Sequence, residues 1–299
     1  MKKVLLVMGL VAELLAQDTA RAWQVEGLVG LQAAQTALSN WQAGGQNQLG
    51  GGLQGRLKLA YDRKRYGLSA ELSGQYGVLR VVPQRTYRKT QDFALLLLEG
   101  ERRFRQGGRL VGAVLADART QWAPSYTYIG DSVVKPATAG FLAPLYGQFS
   151  VGLRYRPFKA WRITFSPLSG RVTYVRWGYL AEAGAFGLRP AERDTAGALL
   201  RPARRTRWEV GGRLTSRLAV TPLPGLQVNH FLDLFGSYSS APWGPILVSQ
   251  LQVAYQLKKW IALALTQQTI YDPRLPAPQR LQLLTSWSLA LTYTIANQP

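Results

Sequence analysis

From Tyr66 to Arg80 the apolar residues occupy alternate positions. Tyr66, Leu68, Ala70, Leu72, Tyr76 and Val78 share one parity, while Ser69, Glu71, Ser73 and Gln75 hold the other. Successive side chains of a strand point to opposite faces, so the segment reads as a ribbon with one greasy and one polar side. A helix would scatter both sets around its circumference. The pattern recurs: Leu53, Leu57, Leu59 and Tyr61 alternate with Gln54, Arg56, Lys58 and Asp62. Phe149, Val151, Leu153 and Tyr155 alternate with Gln148, Ser150, Arg154 and Arg156. Trp208, Val210, Leu214 and Leu218 alternate with Arg207, Glu209, Arg213, Thr215 and Arg217. Further along, Leu251, Val253, Tyr255 and Leu257, then Trp287, Leu289, Leu291, Tyr293 and Ile295, form similar stripes.

Strands are predicted near 24–37, 49–62, 66–80, 91–105, 109–122, 146–156, 160–168, 206–219, 226–239, 246–257, 260–271 and 282–295. Soluble sheets favour strands of roughly five or six residues. A tilted strand that crosses a bilayer needs about 9–11, which fits these segments better. The connections also fall into two classes. Those after even-numbered strands are short, at 63–65, 106–108, 157–159, 220–225 and 258–259, and those after odd-numbered strands are mostly longer, at 38–48, 81–90, 123–145, 169–205, 240–245 and 272–281. Short periplasmic turns alternating with longer external loops characterise bacterial barrels, and an even strand count returns both termini to the periplasm. The expected fold is therefore all-β, a transmembrane antiparallel up-and-down β-barrel of about twelve strands in a Gram-negative outer membrane.

Aromatic placement and composition agree with that expectation. Tyr61, Tyr66, Phe104, Tyr155, Trp161, Tyr255 and Trp260 flank the short turns, and Tyr76, Trp122, Tyr238 and Tyr271 stand near the opposite ends. Amphipathic rings are favourable at both membrane interfaces. Of the 299 residues only 17% are charged, below the roughly 25% of soluble domains. Residues 1–22 read as a signal peptide: Lys2 and Lys3, an apolar run from Val4 to Val11, and Ala20-Arg21-Ala22 as a cleavage site, with Gln17 as a second candidate for the first mature residue. Residues 23–299 then form the barrel domain. The absence of cysteine removes disulfides and thiolate metal sites from consideration.

Several segments carry a resemblance. Gln35 to Asn47, with Asn40-Trp41 and Gly44-Gly45, is similar to the opening hallmark of domain-of-unknown-function family 3078. Further matches are Tyr87 to Asp92, Gln121 to Tyr126, Phe141 to Pro144, Leu168 to Thr173, Gly184 to Gly187 and Ile270 to Asp272. The resemblance implies an outer-membrane barrel and supplies no established activity or functional residues. Barrels of this kind are inserted by the barrel-assembly machinery, which is therefore an expected partner, with membrane lipid and lipopolysaccharide.

The net charge of +20 is the strongest functional hint. Arg56, Lys58, Arg154, Arg156, Arg162, Arg213 and Arg217 fall on the inferred inner face, and Arg189, Arg193, Arg201, Arg204 and Arg205 crowd the long connection at 169–205. Inner cations favour an anion-selective lumen, since basic surfaces raise the local anion concentration. The competing reading is a solvated wall tied to Glu71, Glu209 and Asp233. Nucleic acid is not an expected partner, because export and a membrane barrel oppose it. No cofactor or metal is expected either: with one histidine and no cysteine, only oxygen ligands remain. Gly44-Gly45 and Gly50-Gly51-Gly52 precede no helix, so they suit loop and strand geometry better than phosphate binding.

No enzyme is expected. Lipid hydrolysis by a barrel needs a serine, a histidine and an orienting polar group within reach. The single histidine, His230, shares the face of Leu226, Val228, Leu232 and Leu234, on the lipid side. Two main functions stay open: a narrow passive channel with anion preference, or a filled structural barrel whose external loops bind lipopolysaccharide or a partner protein. A lipid-modifying enzyme is the weaker third. In the long connection, Arg171 to Tyr179 is expected to form an extra hairpin and Ala196 to Leu200 a short helix capped by Asp194 or Thr195.

Overall fold

A computed structural model describes residues 23–36, 48–105, 107–239, 244–258, 260–273 and 280–296. The expected signal peptide, residues 1–22, and the Asn40-Trp41 segment lie outside them. Strands β1 (Trp23–Thr36), β2 (Gln48–Asp62), β3 (Tyr66–Val81), β4 (Tyr87–Arg103) and β5 (Leu110–Thr120) run up and down in sequence. A hairpin, β6 (Ser125–Ile129) and β7 (Ser132–Ala139), precedes β8 (Leu145–Phe158) and β9 (Trp161–Tyr174). Helix α1 (Gly178–Glu182) and a second small hairpin, β10 (Glu192–Arg193) and β11 (Leu199–Arg201), follow. The wall resumes with β12 (Thr206–Leu223), β13 (Leu226–Ser237), β14 (Ile246–Lys258), β15 (Ile261–Tyr271) and β16 (Leu281–Ala296).

Twelve of these strands close into one antiparallel barrel. The closing seam joins the first strand to the last, from Glu26 opposite Ala296 to Ala33 opposite Leu289. On its other edge β1 pairs with β2, from Trp23 opposite Tyr61 to Thr36 opposite Gln48. The chain is thus a transmembrane-type β-barrel, the architecture in which a sheet leaves no unpaired edge to hydrocarbon.

Burial is inverted relative to a soluble protein. Leu31, Leu68 and Leu168 are 58%, 56% and 60% exposed on the outer wall, whereas Arg154 and Arg213 are 2% and 4% exposed in the interior. In water such a belt would be a severe aggregation hazard. In lipid it is the solvated surface. Aromatic pairs sit at the short-turn end: Trp23 with Tyr61 at 5.0 Å between ring centroids, and Phe158 with Trp161 at 5.7 Å.

The barrel strands follow the sequence reading closely except where bulges intervene. Strand β9 reaches Tyr174 rather than ending near 168, so Arg171 to Tyr174 extend the wall instead of starting a separate hairpin. The register shifts between Val151 and Leu153 on β8 and between Gly211 and Arg213 on β12. An extra residue reverses the side-chain parity. Ser166 and Ser169 consequently both face inward, with exposed Pro167 and Leu168 between them. A period-two reading stops at that phase change.

Gly152 sits at the bulge because a Cβ there would lie 2.1 Å from the Phe165 carbonyl oxygen. Gly152→Ala should force the two backbones apart and cost about 1–3 kcal/mol, as overpacking does. The folded form, followed by its mobility on an unboiled gel, should unfold at lower temperature. An unchanged transition would contradict the packing described here.

Candidate functional site

The interior is organised by ion pairs that reach across it. Arg213 on β12 donates from Nε and Nη2 to Asp233 on β13 at 2.9 and 2.7 Å, and from Nη1 to Asp117 on β5 at 2.7 Å. Strands β8 and β9 separate β5 from β12 in the wall, so this bridge cuts across the lumen. Two residues nearer the short-turn end, Arg154 pairs with Glu99 at 3.1 Å and with Glu101, and donates to Thr164 Oγ1 at 2.9 Å. Arg217 reaches the other oxygen of Glu99 at 2.9 Å, and Arg156 pairs with Glu101. Burying these charges is tolerable only because each is matched. Leu97, Val111, Ala113, Leu115 and Phe235 fill the space around them.

All seven basic residues singled out in the sequence point inward, but they do not form one free cationic surface. Arg56 is paired with Glu71 at 3.3 Å, and Arg154, Arg156, Arg213 and Arg217 belong to the network above. Among the described residues Lys58 and Arg162 form no ion pair. Both line a cavity of about 480 Å³ in the short-turn half of the barrel. Its charged lining comprises Arg56, Lys58, Arg103, Arg156, Arg162 and Arg217 against Asp62, Glu71, Glu99 and Glu101. The remaining wall includes Gln24, Gln250, Gln252 and Asn229, so the cavity is polar with a modest cationic excess.

A folded cap stands at the opposite end. Ala143, Val175, Ala181 and Leu188 form a small buried core, with Trp177, Leu180, Phe186 and Ala203 against it. The expected helix at Ala196 to Leu200 is absent. Its place is taken by the β10–β11 hairpin, where Asp194 accepts from the Ala198 amide at 2.7 Å. Gly197, at φ 86°, adopts the left-handed conformation that turns the chain back. The helix lies earlier, at α1. Arg207, an inward residue of β12, donates to the Gly187 carbonyl and ties the cap to the lumen wall.

Two of the family-like segments meet in space. The Asp92 carboxylate accepts from the Trp122 and Ala123 amides at 2.8 and 2.9 Å and pairs with Lys89 at 2.6 Å. Lys89 also donates to Gln121 Oε1 and the Ala123 carbonyl, and Trp122 donates from Nε1 to the Phe93 carbonyl at 2.9 Å. A third segment joins through Thr120, which donates to the Pro144 carbonyl and accepts from the Leu142 amide. The sequence pattern alone assigns these residues no role. The structure makes them the clasp where the chain leaves β5 for the cap. Asp131, at the tip of the β6–β7 hairpin, similarly accepts from the Thr86 and Arg85 amides at 3.0 and 2.8 Å. These bonds, led by that from Thr86, hold its carboxyl below the usual carboxylate range.

His230 faces outward, as its parity required, and its Nε2 lies 3.1 Å from Ser249 Oγ on the next strand. Among the described residues no side chain hydrogen-bonds the other ring nitrogen, so the pair lacks the orienting group of a hydrolase triad. No cluster of His, Asp and Glu with the makings of a metal site occurs among the described residues.

The fold makes this chain a β-barrel of the outer-membrane type. The model of a family described as "Protein of unknown function (DUF3078)" matches residues 33–126, a stretch that contains the Asp92 clasp. No curated protein matches the chain. Among solved structures it is similar to the translocator domain of the autotransporter NalP from Neisseria meningitidis, at 10% identity and TM-score 0.37, covering 91% of this chain and 88% of that one. It is also similar to an outer membrane channel from Pseudomonas putida F1, at 12% identity and TM-score 0.40, covering 92% and 96%. The NanC porin aligns at 10% identity and TM-score 0.37, over 93% and 100% of the two chains.

Asp92→Ala should leave two amides and a lysine without their acceptor and cost about 3 kcal/mol. Limited proteolysis would then cut within 121–144 while the barrel itself stays resistant; an uncut loop would refute the clasp. Asp131 gives a pH dependence. Its folded carboxyl ionises at lower pH than an unfolded one, so its contribution is fully present above the ordinary carboxylate range and disappears as pH falls through the depressed value. Hydrogen exchange at Thr86 should accelerate relative to β6–β7 amides on acidification, and Asp131→Asn should remove that extra pH dependence.

Proposed function

We propose that this chain is exported to the outer membrane, with both termini in the periplasm, and acts there as a narrow passive conduit with a preference for small anions. The observation that carries this reading is the cavity of about 480 Å³ in the short-turn half, lined by six basic and four acidic side chains. Short turns are the periplasmic ends of bacterial barrels, which makes this cavity the periplasmic vestibule. Lys58 and Arg162, the two cations of this lining that pair with no carboxylate among the described residues, raise the anion concentration in it. The Arg213 bridge narrows the route beyond it. The inner face of β14 and β15, with Gln250, Gln252, Thr266 and Gln268, carries no charge, and on this reading it is the side along which an anion passes. A barrel of this strand number lies between side-chain-filled small barrels and open porins.

A second reading has its own support. The buried network around Arg154 and Arg213 resembles a filled core, and the cap displays Arg189, Arg193, Arg201, Arg204 and Arg205 beside the exposed Leu199 and Leu200. Such a surface suits lipopolysaccharide, whose phosphates and acyl chains match basic and apolar groups. In that case the barrel is a scaffold for its loops. On either reading the signal peptide is 1–22, the barrel-assembly machinery inserts the chain, and no chemistry is performed.

Planar-bilayer recording separates the two. The purified barrel should give small unitary steps with an anion preference of about twofold to fivefold, and Lys58→Glu with Arg162→Glu should reverse its sign. A folded but electrically silent barrel would overturn the conduit and leave the scaffold.

A further inference from the structure

The outward wall is apolar or glycine within the belt on most strands. Ser216 is an exception that accepts a hydrogen bond from Trp161 near the short-turn end. One region departs from this rule. On four consecutive strands, His230 of β13, Ser249 of β14, Gln267 and Thr269 of β15, and Thr285 of β16 share the outward parity. Their placement follows from register: Gln267 stands opposite Leu251 on one side and Thr285 on the other, and Thr269 opposite Ser249 and Leu283. Leu232, Leu247, Leu251, Leu265 and Leu283 surround them.

The patch is too deep to be part of the headgroup girdle. Along a strand tilted at about 40° each residue climbs about 2.5 Å, so Gln267 lies about 10 Å below the level of Tyr271 on its own strand. Lipid tails offer no hydrogen bond at that depth. His230 and Ser249 bond each other, but among the described residues Gln267, Thr269 and Thr285 make no side-chain hydrogen bond. A carboxamide and two hydroxyls held toward hydrocarbon without partners point to a protein surface that meets them.

We infer that the β13–β16 face is the contact through which a second copy of this chain docks in the membrane. Three features select a copy over another occupant. The patch carries no Lys, Arg, Asp or Glu, so two of them do not repel. Gln, Thr and Ser are each both donor and acceptor, so the surface complements itself. Copies inserted in one orientation are related by an axis along the membrane normal, which preserves depth. The Gln267 level of one copy therefore meets the same level of the next, with the flanking leucines packing around it. The contact does not require the lumen to conduct.

The chain has no cysteine, so a single one reports its own neighbours. In outer membranes, Gln267→Cys should cross-link under mild oxidation to a species of twice the chain mass, while Val114→Cys, on β5 six strands away around the wall, should stay monomeric. Native mass spectrometry of the unmodified protein in mild detergent should give an oligomer. The triple change Gln267→Leu, Thr269→Val, Thr285→Val should shift it at least tenfold toward a monomer that retains the folded gel mobility. If that variant does not fold, the cysteine comparison decides. Equal cross-linking at both positions, a monomeric native mass, or a Gln267→Cys adduct with a different protein would each overturn the proposal.

Discussion

The structure depends on the pairing of β1 with β16. In hydrocarbon a strand edge has no water to satisfy its amides and carbonyls, so a twelve-stranded sheet that failed to close would expose two such edges. Closure makes every spanning backbone group internal to the wall. It also frees the side chains from the usual division of labour: the outer face needs only to be apolar, and the inner face is shielded enough for charges to be used as packing material. Both the bare leucines of the belt and the buried arginines of the lumen follow from that one seam.

The interior uses charge in an uneven way. Carboxylates on β4, β5 and β13 are matched to arginines on β8 and β12, with apolar side chains between, so that half of the tube resembles a protein core. The arc formed by β14 and β15 is lined instead by glutamine, threonine, alanine and a few aliphatic side chains such as Ile246 and Val248. A strongly basic composition therefore does not translate into a uniformly cationic lumen. Most of the inward arginines are neutralised locally, and the surplus sits in the short-turn vestibule, at Arg119 over the Phe93 ring nearer the other end, and on the cap. A net charge counts residues; a selectivity depends on which of them keep a free field.

Much of the wall was legible in the sequence because period-two alternation is imposed directly by lipid outside and polarity inside. His230 and the seven inward cations could be assigned to faces from parity alone. What escaped reading has physical causes. Beyond Pro167 the bulge reverses parity, so the continuation of β9 to Tyr174 is invisible to alternation. The partners of the inward arginines lie far along the chain, as Asp117 does from Arg213, and no local pattern announces them. Ala196 to Leu200 has helix-like composition, yet Gly197 in the left-handed region and the Asp194 side chain close a hairpin instead. The family-like segments were noticed as residues, and only folding shows that Lys89, Asp92, Gln121 and Trp122 form one clasp.

The cross-braced half also has a mechanical meaning. A tube stiffened by arginine struts along one flank and unbraced along the other deforms anisotropically. The strutted flank resists lateral pressure from the bilayer, and the other, whose inward side chains are uncharged and so break no ionic contact, takes it up as curvature change. Elastic compliance is thereby localised to a known arc of the circumference.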